Sequence, residues 1–191
     1  MARAAALLVC LIASSGCAAR ARSPSSGALV DRDRLARIER VGALVAGPEL
    51  GRREVDLGLS TRDSLGAWSW RNGRVRLSSS LVDLLDEDEL AAAIAHELGH
   101  LYDGGHLHDG PAALHGGSAT GAESRADRIG CTLLARRGLP GDAMSRMLAK
   151  VARALSAEGE PGPGPSLTAR AAALAVDCAD VAPLREVGPS S

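Results

Sequence analysis

The stretch that decides the fold is DEDELAAAIAHELGHLYDGG, residues 86–105, in which an acidic start leads into alanine and then into two histidines. Asp86 is followed three residues later by Glu89, which is the spacing of a capping box and predicts that a helix begins here. The two closing glycines are typical of a helix end. The sequence therefore predicts one helix, with Asp86 as its N-cap, that runs to about Leu101.

His96 and His100 are four residues apart on this helix, so both imidazoles lie on one face, where a single zinc ion can bind both. Glu97 lies beside that face, where it can hold and deprotonate a metal-bound water. The competing interpretation is two surface histidines on a capped helix, which the alanine and leucine on the other faces disfavour. We predict one Zn²⁺ ion, with Glu97 as the catalytic base.

A catalytic zinc needs a third protein ligand and one open position. Glu123 lies in GAESRADRIG, residues 121–130, at the start of a later predicted helix. Asp127 follows it by one turn and could accept the N–H of a zinc-bound imidazole, most simply that of His96, which would fix the ring. We expect Glu123 to be the third ligand.

Other histidines offer an alternative third ligand. His106 follows His100 at a distance that suits the metzincin pattern, but Asp103 occupies the position where that pattern needs glycine. His108 and His115 are expected to be solvated loop residues. Glu123 is favoured over His106, and a metzincin-like protease stays open as an alternative.

Four segments carry a resemblance to a known family. RVRLSSSLVDLLDEDELAAAIAHELGHLYDGG (74–105) resembles the core of the HtpX and CAAX-prenyl-protease family of zinc metallopeptidases, which includes periplasmic BepA-like members. ESRADRIG (123–130) is similar to its second motif, GAWSWRNGRVRL (66–77) to the segment upstream, and PSLTARAAAL (165–174) to a late Pro-x-x-x-x-Arg element. The resemblance covers roughly residues 55–175.

The resemblance implies a gluzincin, with an HExxH motif and an ExxxD motif, as a minimal soluble lipoprotein-like member. Glu123 would be its third ligand, and Asp127 would support a ligand. Arg170 matches the late arginine and is predicted to be catalytic, with a salt bridge at a helix start as the alternative. Relatives often have a histidine where this chain has Gly164, which puts any role of that histidine in doubt.

The predicted activity is that of a zinc-dependent endopeptidase (a metalloendopeptidase). Its substrates would be extended or misfolded polypeptides of the cell envelope, cleaved by Glu-assisted attack of a zinc-bound water. We expect substrate to pair with an exposed edge of the strand at 74–77. The alternative is a zinc-holding quality-control or binding module that does not cleave.

The rest of the pattern predicts an α+β fold: a mainly helical, zincin-like domain with a small antiparallel sheet. Asn72-Gly73 is a strong hairpin signal. The predicted strands are 55–59, 67–71 and 74–77. The predicted helices, besides that of the two histidines, are 29–46, 79–85, 122–137, 142–157 and 167–178.

The N-terminus predicts export. Residues 1–17 resemble a signal peptide with a lipobox that ends at Cys17, and ordinary signal-peptide cleavage is the alternative. Residues 18–29 would be a flexible tether, 30–182 the metallopeptidase domain and 183–191 a disordered tail. We therefore expect a periplasmic protein, attached to a bacterial membrane through a lipid on Cys17.

Two cysteines and the net charge limit the partners. Cys131 and Cys178 would remain in an oxidising compartment and are expected to form a disulfide, with two buried free thiols as the alternative. A net charge of -1 gives no sign of a nucleic-acid partner. Polypeptides are the expected partners, and the oligomeric state is not predicted.

Overall fold

The computed structural model describes residues 26–46, 55–103, 112–113, 120–157 and 163–178. The helices of these residues are α1 (Ser26–Ala46), α2 (Ser79–Leu84), α3 (Glu87–Asp103), α4 (Thr120–Arg136), α5 (Ala143–Ala157) and α6 (Pro163–Asp177). The strands are β1 (Asp56–Leu59), β2 (Ala67–Ser69), β3 (Arg74–Leu77) and β4 (Ala112–Ala113). The predicted α+β class, mainly helical with a small sheet, is confirmed.

Helix α3 lies at the centre of the fold, and every residue from Glu89 to Leu101 is buried. The predicted capping box is confirmed, because the Glu89 N–H donates to Asp86 Oδ1 at 2.8 Å and the Asp86 N–H donates to Glu89 Oε2 at 2.9 Å. Glu89 also binds Lys150 Nζ of α5 at 2.5 Å. The start of α3 is therefore fixed to its own first turn and to a neighbouring helix.

The sheet has the strand order β1-β3-β2-β4. β2 and β3 form the predicted hairpin, closed by Gly73 with a φ of 86°, a conformation that favours glycine. β4 pairs antiparallel with β2, but β1 pairs parallel with β3, so the sheet is mixed and not antiparallel throughout. The prediction of an exposed β3 edge is wrong, because β1 and β2 occupy both of its sides.

The remaining helices pack on α3 and on one another. α4 crosses α3 at Gly99, where an added Cβ would lie 2.4 Å from the carbonyl oxygen of Ala126. α5 packs against α3 and α6, and a disulfide joins Cys131 of α4 to Cys178, just after α6. The close approach of α3 and α4 brings the residues of the two sequence motifs together.

The ends of the chain lie largely outside the described residues, including the predicted signal peptide, Cys17 and the predicted tail. α1 begins at Ser26, so the last four residues of the predicted tether are helical. Among the described residues, no helix combines the length and the apolar character needed to cross a membrane.

Candidate metal centre

Three side chains from two helices converge at the α3–α4 contact. His96 Nε2 lies 3.1 Å from His100 Nε2 and 3.5 Å from Glu123 Oε2, and His100 Nε2 lies 3.4 Å from Glu123 Oε1. The two histidines come from adjacent turns of α3, and Glu123 comes from the first turn of α4. The structure thus brings together the three ligands predicted from the sequence.

These distances suit a tetrahedral zinc ion. Ligand atoms at ~2.0–2.1 Å from zinc and at the tetrahedral angle lie about 3.3 Å from one another. The three observed separations fall on either side of that value. The donor set of two imidazoles and one carboxylate is also that of a catalytic zinc site, which leaves a fourth position open. The residues present therefore fit the metal.

Asp127 fixes the ring of His96. Its Oδ1 lies 2.8 Å from His96 Nδ1, and both side chains are buried. When Nδ1–H donates to this carboxylate, Nε2 is left as the metal-binding nitrogen of the neutral ring. Asp127 follows Glu123 by one turn of α4, so the same helix carries the ligand and the group that orients its neighbour.

Arg170 of α6 lies against both carboxylates of α4. Its Nε and Nη2 bind Asp127 Oδ2 and Oδ1 at 2.9 and 2.7 Å, and its Nη1 lies 3.0 Å from Glu123 Oε2. Arg170 therefore forms a salt bridge, but it lies in the middle of α6 and not at a helix start as the alternative had it. These contacts hold the acidic groups in place from the side of α6.

Burial and the nearby charges shift the pKa values of His96 and Asp127 in opposite directions. Burial lowers the pKa of His96, but hydrogen bonds to Asp127 and Glu123 outweigh it and raise the pKa to about 10. For Asp127 burial raises the pKa, whereas the His96 and Arg170 partners lower it to about 2. In the metal-free protein these two groups form a buried ion pair.

The other two ligands are held in metal-binding protonation states. Burial, followed by the charge of His96, lowers the pKa of His100 to about 4, so this imidazole is neutral at neutral pH. Burial raises the pKa of Glu123, but its neighbours His96, His100 and Arg170 lower that pKa overall. A neutral imidazole and an ionised carboxylate are the forms that bind zinc.

Glu97 is fully buried beside the ligands. Neither of its carboxylate oxygens makes a hydrogen bond within the part of the chain that the structure describes. Burial is the main cause that raises its pKa to about 7, only partly offset by the charge of His96 and the nearby hydroxyl of Ser69. A carboxyl group with a pKa near neutrality can both accept and return a proton.

Ser69 is the residue that sequence reasoning missed. It belongs to β2, is fully buried, and its Oγ has no hydrogen-bond partner among the described residues. A serine in a short strand gives no sequence signal of this kind. His106, His108 and His115 lie outside the described residues, so their predicted places stay predictions.

The buried helix with its two histidines, the carboxylate from α4 and the neighbouring glutamate are the groups that a zinc metallopeptidase site requires. In the comparison with protein families, residues 32–112 match the model of peptidase family M48, which confirms the resemblance to zinc metallopeptidases. The match includes α3 and ends before Glu123, whose place as a ligand depends on the geometry. Neither the curated proteins nor the solved structures yield a match.

Proposed function

We propose that this chain is a zinc-dependent endopeptidase that cleaves extended or misfolded polypeptides, with one Zn²⁺ held by His96, His100 and Glu123. The observation that carries the proposal is the convergence of two imidazole nitrogens, 3.1 Å apart, with the two oxygens of the Glu123 carboxylate, one 3.5 Å from His96 and the other 3.4 Å from His100, beside a buried glutamate. A structural zinc site has no need of such a base. The family match supports the peptidase class.

The residues divide the chemistry among them. When bound, zinc polarises the scissile carbonyl and lowers the pKa of a coordinated water. Glu97 accepts the proton of the attacking water and then delivers it to the departing amine. Asp127 keeps His96 in the tautomer that binds the metal. Arg170 acts as a positioning residue through both carboxylates of α4, and its predicted direct catalytic role stays a prediction.

The Glu97→Gln variant tests this proposal. Because the ligands are untouched, we expect one zinc per chain, as in the wild type, and loss of casein cleavage by ~10²–10⁴-fold, the usual range for removing a general base. Glu39→Gln, on the exposed face of α1, is the matched control and should keep full activity. A wild type that binds zinc but cleaves neither casein nor a peptide library would favour the non-cleaving binding module.

A second pair of variants separates the two candidate third ligands. Glu123→Ala removes the carboxylate whose two oxygens lie 3.5 Å from His96 and 3.4 Å from His100, and it should strip the metal. His106→Ala should retain one zinc per chain. The reverse result, measured by metal analysis after gel filtration, would establish the metzincin-like alternative.

We also propose that the protein acts in the bacterial cell envelope, anchored through a lipid on Cys17. The support is the sequence of residues 1–17 alone. Membrane fractionation tests it: the wild type should sediment with membranes, and Cys17→Ala should move to the soluble fraction of the periplasm. Retention of the variant in the membrane fraction would contradict lipid anchoring.

A further inference from the structure

Ser69 lies where β2 meets the zinc-binding helix. It is the last residue of the strand and pairs in register with Val75 on one side and Ala112 on the other. The strand packs against α3, and the Ser69 hydroxyl lies near enough to the Glu97 carboxylate to lower its pKa.

The burial of this hydroxyl is unusual because it makes no hydrogen bond with any described residue. Folded proteins pair almost all their buried polar atoms, and an unpaired one costs free energy, so its presence calls for an explanation such as a catalytic role. Both oxygens of Glu97 are unpaired and buried in the same way. A donor without an acceptor and a carboxylate without a donor thus lie side by side on two packed elements.

We propose that Ser69 is a positioning residue for Glu97, and that its hydroxyl donates a hydrogen bond to one carboxylate oxygen. The other oxygen is then left to exchange the proton with water and with the leaving amine. A small rotation of either side chain closes the contact, and a long contact in a structure without substrate does not rule out a catalytic hydrogen bond. This inference depends on the proposed function for its kinetic consequence.

Ser69 contrasts with a second buried serine of the same sheet region. Ser78, the N-cap of α2, accepts hydrogen bonds from the N–H groups of Gly66 and Leu81 at 3.1 and 3.2 Å. Ser78 therefore has a structural role that accounts for its burial. Ser69 has no such role among the described contacts, which makes the two serines a matched pair for substitution.

The experiment compares Ser69→Ala with Ser78→Ala. For Ser69→Ala we expect kcat to fall about 10- to 100-fold, which corresponds to the loss of one hydrogen bond to a charged group. KM, zinc content and Tm should be unchanged, or Tm slightly raised, because an unpaired buried hydroxyl has been removed. For Ser78→Ala we expect the opposite result, with a lower Tm and an unchanged kcat at temperatures where the variant is folded.

A second measurement is independent of activity. In alkaline buffer, infrared spectra with labelled glutamate should show a carboxylate band that shifts between wild type and Ser69→Ala. The shift should vanish when the same pair is compared in a Glu97→Gln background. A wild type that fails to cleave peptides would overturn the proposed function alone, because the band still reports on the hydrogen bond. Unchanged kcat in Ser69→Ala, or an unchanged band, would overturn the role of Ser69.

Discussion

Arg170 binds Asp127 side-on, with Nε and Nη2 at 2.9 and 2.7 Å from the two carboxylate oxygens. Asp127 Oδ1 is in turn 2.8 Å from the ring of His96. One carboxylate therefore connects an arginine of α6 to a proposed metal ligand of α3. Because of this connection, α6 contacts the proposed metal centre although it supplies none of the three candidate ligands.

Substitution of Arg170 by lysine should weaken zinc binding while leaving the positive charge. Lysine presents a point charge and cannot make the two parallel hydrogen bonds to Asp127. We expect zinc affinity to fall ~10- to 100-fold, as is usual when a group that supports a metal ligand is changed. Competition with a chelator dye measures the affinity. The exposed Arg153 of α5 supplies the control, and equal affinities in wild type and Arg170→Lys would contradict the positioning role.

The close packing of α3 on α4 should make Gly99 intolerant of a side chain. A Cβ there would lie 2.4 and 2.9 Å from the backbone oxygen and Cα of Ala126, so one helix must move. Gly99→Ala should destabilise the fold by ~1–3 kcal/mol, a typical cost of overpacking, despite the better helix propensity of alanine. The displacement should also weaken zinc binding, since Asp127 directly follows Ala126.

Gly121 is the control for this prediction. It lies exposed in the first turn of α4, and an added Cβ would meet only the flexible end of Arg125 at 3.3 Å. Gly121→Ala should leave Tm unchanged or raise it, with normal zinc content. If both alanine variants have the same Tm as the wild type, the helices do not approach as closely as the structure shows.

The metal-free protein should depend on pH through the pair of His96 and Asp127. The pKa of His96 is raised from 6.5 to about 10 in the folded state, so its stabilising contribution is fully present below pH 6.5 and is lost as the pH rises through about 10. The Tm difference between wild type and Asp127→Asn, both treated with a chelator, should therefore shrink across this window. A difference that stays constant from pH 6.5 to 10 would show that the pair is not charged.

The sequence was sufficient for the parts of this centre that depend on local spacing. The capping box at Asp86, the two histidines one turn apart and the glutamate–aspartate pair of α4 each follow from the helix repeat. Strand partners depend instead on which distant segments meet, so the parallel pairing of β1 with β3 had no local signal. The burial of Ser69 against α3 depends on the same tertiary packing.

We expect the disulfide to stabilise both the fold and the proposed metal centre. Cys131 follows Asp127 by one turn of α4, and Cys178 lies two turns beyond Arg170. The bond therefore joins α4, which carries the two carboxylates, to the end of α6, which carries the arginine that binds them. Its 47-residue separation corresponds to about 4 kcal/mol in the loop-entropy model. Reduction should therefore lower Tm and speed the loss of zinc to a chelator. A variant with both cysteines changed to alanine should have the Tm and the rate of zinc loss of the reduced wild type, and the reductant should change neither. If reduction changes neither Tm nor the rate of zinc loss, the distance between α4 and α6 is maintained by packing and by the contact of Arg170 with Asp127 alone.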